Sequence, residues 1–206
     1  GHGWVLLDSG KMSKSKGNVV DPLVLIEKYG TAAVRYFLLR DIPSGQDGYY
    51  SEAALVHRIN IDLANDYGNL VSRTVAMIEK YFGGEVPAPG ELLPIDQELR
   101  ELAAAVVPEA AGFMEKLDFP NALAAAFKLI GRANKYIDET MPWALAKDPA
   151  QKERLGTVMY HLLECVRIST MLLAPAMPDL PAKVWVQTGH DGAGCASWDQ
   201  LSWGGT

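Results

Sequence analysis

The sequence is poor in cysteine. Cys165 and Cys195 are the only two in 206 residues. They form no C-x-x-C pair, so neither zinc-ligand spacing nor a disulfide framework is available, and a reducing, cytoplasmic compartment is expected. No run of 18 apolar residues occurs, which excludes an ordinary membrane-spanning helix, and no membrane partner is expected. No signal-peptide pattern precedes the first motif. Positive charge is not in excess either: 19 Lys and Arg against 25 Asp and Glu leave a net charge of −6. That is the wrong sign for a protein that coats nucleic acid with its whole surface. Internal repeats and low-complexity tracts are lacking. An initiating methionine is also lacking, since the chain opens on Gly1-His2-Gly3, and an upstream domain is expected.

What is present is an ordinary globular composition. Hydrophobic residues make up 49% and charged residues 21%, enough for one large domain, or one domain plus a fragment. Residues 3–10 read as a short strand running into a turn. Asp21-Pro22 reads as an N-cap with a first-turn proline, opening a helix that Gly30 stops. Thr31 is placed to cap the next helix, and Pro43, Gly45 and Gly48 mark a loop taken as a domain boundary. From Ser51 to Phe82 the pattern is helical, with Leu63, Tyr67, Leu70, Val71, Ile78 and Phe82 at three- and four-residue spacing. A second stripe runs through Ile95, Leu99, Leu102, Val106, Ala110, Phe113 and Leu117, where Pro108 is expected to kink or split the helix. A third carries Leu123, Phe127, Ile130 and Ile137 up to Met141-Pro142. A fourth carries Leu155, Met159, Leu162, Val166, Thr170 and Leu173, after which Pro175, Pro178 and Pro181 break the pattern. The tail from Gln187 has no period, although Trp198 and Trp203 suggest that it packs. The expected fold class is mainly α, a helical bundle preceded by a short strand, loop and helix remnant. His57 and His161 lie within helices and are assigned no chemistry.

One stretch stands apart. "SGKMSKSKGNVVDP", residues 9–22, carries three lysines in six residues, interleaved with serines and followed by Gly17-Asn18. By composition alone a lysine-rich hexamer is a solvated loop. Its setting also suits phosphate: a strand before it, a glycine for a sharp turn, flexible point charges, hydroxyl donors and a helix start close behind.

The order of letters from Lys11 to Pro22 resembles the signature loop of class I aminoacyl-tRNA synthetases. The resemblance implies that Lys11, Met12, Ser13, Lys14 and Ser15 close over the triphosphate of ATP. Lys14 and Lys11 are then the catalytic residues, stabilising charge on the departing pyrophosphate more than in the ground state. "LANDYGNLVSR", residues 63–73, and "YIDETMPWALAK", residues 136–147, are similar to the anticodon-binding bundle of methionyl-tRNA synthetases. So are "YFLLRDIPSGQDGYYSE", residues 36–52, and "SWDQLSWGG", residues 197–205. The anticodon contacts this implies are Asn69, Arg73 and Trp143. Asn69 and Arg73 share a helix face at i, i+4, turned away from the stripe of Tyr67 and Val71. Trp143 follows Pro142 at a break between helices. By residue type alone such an Asn–Arg pair is solvated surface and such a Trp is core.

The resemblance further implies a division into residues 1–48 (the end of a catalytic region), 49–187 (the anticodon-binding bundle) and 188–206 (an irregular tail). Partners would be tRNA(Met), ATP and methionine, with Mg as the counter-ion of ATP in the full enzyme and no metal site in this chain. The His-x-Gly-His motif of that family is absent, so this portion alone is expected to be inactive. Two alternatives stay open: a stand-alone RNA-binding module, or a synthetase for valine, isoleucine, leucine or cysteine.

Overall fold

The computed structural model describes residues 3–7, 10–13, 15, 17–189, 198 and 201–205. Three short strands open the chain: β1 (Val5–Leu7), β2 (Gly10–Lys11) and β3 (Gly48–Tyr49). They lie in the order β2-β1-β3. β1 pairs antiparallel with β2, Leu6 opposite Lys11, and parallel with β3, Leu6 opposite Tyr49. The parallel return requires a crossover, made by α1 (Pro22–Tyr29) and α2 (Thr31–Asp41). Asp21 caps α1, its Oδ1 accepting the Leu23 N–H at 2.8 Å. Gly30, at φ 83°, forms the corner between the two helices. This corrects the expectation that Thr31 caps α2. The cap position needs a backbone angle that β-branched residues avoid, so glycine takes it and Thr31 becomes the first helical residue.

Ser51 caps α3 (Glu52–Arg58), its Oγ accepting the Ala54 N–H. The helix expected from Ser51 to Phe82 is continuous in course but not in kind. Residues Ile59–Gly68 form a ten-residue π-helix between α3 and α4 (Asn69–Phe82). The wider turn lets Asp62 reach the buried hydroxyl of Tyr36 at 2.6 Å. It is tolerated at its far end because Gly68 has no Cβ; one built there would stand 2.9 Å from the Leu63 carbonyl oxygen.

α5 (Pro94–Glu115) runs unbroken through Pro108, contrary to the expected split. The carbonyl that loses its partner is that of Ala104. Ala104, Ala105 and Pro108 are all exposed, so water can serve it. Leu117 does not extend the apolar stripe: it lies beyond the helix at φ 58° and is exposed. α6 (Phe119–Thr140) ends at Met141, which adopts a left-handed conformation (φ 44°) before the single turn of α7 (Pro142–Leu145). A 3-10 turn (Pro149–Gln151) leads into α8 (Lys152–Leu173). α8 is not amphipathic. From Leu155 to Leu173 every residue except Tyr160 is buried, because helices cover it on all sides. Pro181 does not break a helix; it sits in the first turn of α9 (Leu180–Thr188), where its missing N–H costs nothing.

One core runs through α4, α5, α6, α8 and α9 and takes in Tyr36 of α2 and Leu201 of the tail. A smaller one, Phe37, Tyr50 and Leu55, lies under the sheet and is joined by Val5, Leu7, Met12, Val20 and Leu25. No described helix is long and apolar enough to cross a membrane.

Candidate functional site

Two groups of residues matter, and the fold sets them on different parts of the chain. The first is the loop that follows β1. Lys11 is exposed on β2, with its ammonium 3.1 Å from the centre of the Trp4 ring. Met12 packs into the small core, anchoring the loop by its only apolar side chain. Asn18 braces the turn: its Oδ1 accepts the Ser13 N–H at 2.8 Å, and its Nδ2 donates to the Lys11 carbonyl at 3.4 Å. The hydroxyls of Ser13 and Ser15 bond each other at 2.7 Å, and Gly17 turns the chain at φ 67°. Lys14 lies outside the described residues. The described part of the loop thus offers one exposed ammonium and two hydroxyls on a braced backbone, a donor set suited to phosphate oxygens.

Behind the loop, α2 is joined to the π-helix by a charged knot. Arg58 donates to Asp41 from Nε and Nη2 (3.1 and 2.9 Å) and to Asp62 from Nη1 (3.2 Å), while Tyr36 donates to Asp62. Hydrogen bonding to Asp41, opposed in part by burial, holds the Arg58 guanidinium above its usual range. Arg35 adds two bonds to the carbonyls of Ala176 and Pro175 past the end of α8. Loop-bearing and bundle elements are therefore fastened together by side chains that sequence periodicity does not single out.

The second group lies on the bundle. Asn69 opens α4 and is exposed; Arg73, one turn on, is partly exposed. Arg73 Nη2 donates to Asp138 Oδ1 at 3.1 Å, on the last turn of α6. Trp143 follows five residues later in α7 and is 44% exposed. Its indole has no hydrogen-bond or ring partner among the described residues. The ion pair thus fastens the α4 face to the end of α6 from which Trp143 is displayed. Asn134, one turn before Asp138, donates to the Asp66 carbonyl of the π-helix at 3.0 Å. Asp138 and Asn134 were missed by sequence reasoning, since neither has a spacing that points across to another helix.

A third element of the bundle also escaped notice. Asp96, fully buried, accepts from Arg154 at both oxygens (2.5 and 2.9 Å), from the Tyr136 hydroxyl at 2.5 Å, and from the Leu93 N–H at 2.7 Å. Burial pushes this carboxyl up, but the bonds from Arg154, Tyr136 and Leu93 outweigh it and hold it below the usual range. The sequence clue to a capping box was obscured because Leu93, not Ser or Thr, precedes the helix. Among the described residues no group of three His, Cys, Asp or Glu side chains could hold a metal ion.

Comparison with known proteins gives consistent results. The family described as tRNA synthetases class I (M) matches residues 1–75. The chain is 53% identical over 204 residues to a methionine–tRNA ligase of Caldanaerobacter subterraneus, covering 99% of this chain and 32% of that protein. It is 50% identical over 202 residues to that of Bacillus subtilis, covering 98% of this chain and 30% of that protein. Among solved structures, Mycobacterium tuberculosis methionyl-tRNA synthetase in complex with methionyl-adenylate superposes with a TM-score of 0.84 at 43% identity. That match covers 89% of this chain and 36% of the other. The chain spans about a third of the length of the curated relatives it matches.

Proposed function

We propose that this chain is a segment of a methionine–tRNA ligase, supplying the loop that handles ATP phosphates and the face that reads the anticodon of tRNA(Met). The observation that carries the reading is the 53% identity to such a ligase across 99% of this chain. In the reaction of the whole protein, a methionine carboxylate oxygen attacks the α-phosphorus of ATP. The new O–P bond gives methionyl-adenylate, and the bond to pyrophosphate breaks with its electron pair on the leaving group. The terminal ribose hydroxyl of the tRNA then attacks the methionyl carbonyl and AMP leaves.

The contribution of this chain to the first step is electrostatic. Negative charge accumulates on pyrophosphate as the P–O bond lengthens, and Lys14 and Lys11 would hold it, with Ser13 and Ser15 as neutral donors. The exposure of Lys11 and the Asn18 brace support this assignment. The same chemistry makes ATP, with Mg as its counter-ion, and methionine the small-molecule partners.

Selection of tRNA would fall to the bundle. Single-stranded loop bases are read by stacking and by their exposed edges. Trp143 offers a partly exposed indole for stacking, Asn69 a donor and an acceptor for a base edge, and Arg73 a cation for a base or phosphate. The test is binding of this chain to a tRNA(Met) anticodon hairpin. Affinity is expected to fall at least tenfold when CAU is replaced, and by roughly five- to 150-fold in Trp143→Ala, the range for loss of one stacked base. Equal affinity for an unrelated hairpin would refute the reading.

A further inference from the structure

The Trp143 indole makes no hydrogen bond or ring contact among the described residues. With the residue 44% exposed, the course of the backbone that carries it has a large share in where the ring stands. That backbone is the connector between α6 and α8: Met141 in a left-handed conformation, the turn of α7, and the 3-10 turn at Pro149–Gln151. Both flanks of the connector are tied to one side chain. Asp96 of α5 receives the Tyr136 hydroxyl from the penultimate turn of α6 and the Arg154 guanidinium from the first turn of α8.

The tie reaches the connector in short steps. The Thr140 hydroxyl donates to the Tyr136 carbonyl at 2.7 Å, the Met141 N–H closes on Ile137, and the Ala144 N–H bonds the Met141 carbonyl at 2.8 Å. On the other side α7 packs against α8, and the Leu145 side chain lies against the core. A buried charged pair is a weak device for stability alone. What a two-toothed guanidinium–carboxylate contact adds is fixed geometry.

We propose that Asp96 is a positioning residue for Trp143: by fastening α6 to α8 on either side of the connector, it sets where the indole is presented to RNA. This rests on the reading of Trp143 as an anticodon contact. Asp96 itself touches no RNA, since it is fully buried. The effect is transmitted through Tyr136 and Arg154 to the two ends of a rigid turn.

The test is a double-mutant cycle on binding of this chain to the CAU anticodon hairpin. Asp96→Asn removes the charge; Tyr136→Phe removes one hydroxyl and leaves the Asp96–Arg154 bridge, so it covers the case in which the first variant fails to fold. Each is measured alone and together with Trp143→Ala. The expected result is a loss of roughly threefold or more from each single variant, and no further loss once Trp143 is gone, the non-additivity of groups that act through one another. Losses of the same size with and without Trp143 would mean a general structural role and overturn the proposal. So would wild-type affinity in folded Tyr136→Phe and Asp96→Asn. If Trp143→Ala alone binds like wild type, it is the reading of Trp143 that fails, and the proposal falls with it.

Discussion

Arg73 is at once the most promising RNA cation on the bundle and a residue already engaged. Its partner, Asp138, is largely exposed, and exposed pairs of this kind are worth only about 0–1 kcal/mol. On the proposed reading, RNA would meet a cation that it can take over cheaply, in competition with a carboxylate that also repels phosphate. Asp138→Asn should raise affinity for any anticodon hairpin by up to about fivefold, with the gain largest at low salt. Titrations at two salt concentrations would show it, and a loss of affinity would mean that the carboxylate itself receives a base donor. Asn69, Arg73 and Trp143 are proposed as contacts because letter order singles them out. Asp138 was not legible in the sequence, because a contact between α4 and α6 spans 65 residues and leaves no local pattern.

At the scale of elements, periodicity located every long helix but not its internal geometry. Apolar spacing cannot separate an α-turn from a π-turn when both bury the same residues, so the π-helix at Ile59–Gly68 was read as α. The departure coincides with a long-range bond, that of Tyr36 to Asp62, and with a local permit at Gly68. Gly68→Ala should destabilise the chain by about 1 kcal/mol or more, since its methyl would crowd the Leu63 carbonyl at 2.9 Å. Because Asn69 begins α4 at the next residue, hairpin affinity should fall as well. Thermal melts and binding of the same preparation test both parts; an unchanged melting temperature would show that the π-turn yields without cost. Pro108 teaches the reverse lesson. The residue type argued for a break, but α5 runs on, and the carbonyl that loses its partner lies on an exposed flank open to water.

At the scale of the molecule, α8 is the axis on which the tail closes. Glu164 accepts the Gly204 N–H at 2.6 Å, Arg167 donates to the Ser202 carbonyl at 2.5 Å, and the two side chains pair at 3.0 Å. Trp203 lies 5.2 Å from the ring of His161, which is 1% exposed and donates from Nδ1 to the Thr157 carbonyl. Nε2 of His161 has no partner among the described residues. Burial, opposed in part by the Thr157 bond, lowers the pKa of this histidine. In the unfolded chain it titrates near 6.5. Its contribution to stability is thus complete above about pH 6.5 and is lost as the pH falls toward its lower folded value. The melting temperature should drop between pH 7 and about pH 5.5, and His161→Gln, which does not titrate, should show a smaller drop. Equal drops in both proteins would assign the effect elsewhere.

The sequence by itself determined the mainly α class and most of the helix bounds, and its letter order is what the proposed roles of Lys11–Ser15, Asn69, Arg73 and Trp143 start from. These depend on short-range order: caps, three- and four-residue spacing, and the letters of a motif. Tertiary structure alone decided that α8 is buried on all sides, that the helix before Asn69 is π, and that Asp138 and Asp96 stand where they do. Those outcomes depend on which distant side chains meet in a dry interior, where an unpaired charge or carbonyl is costly, and no local window of sequence records that meeting.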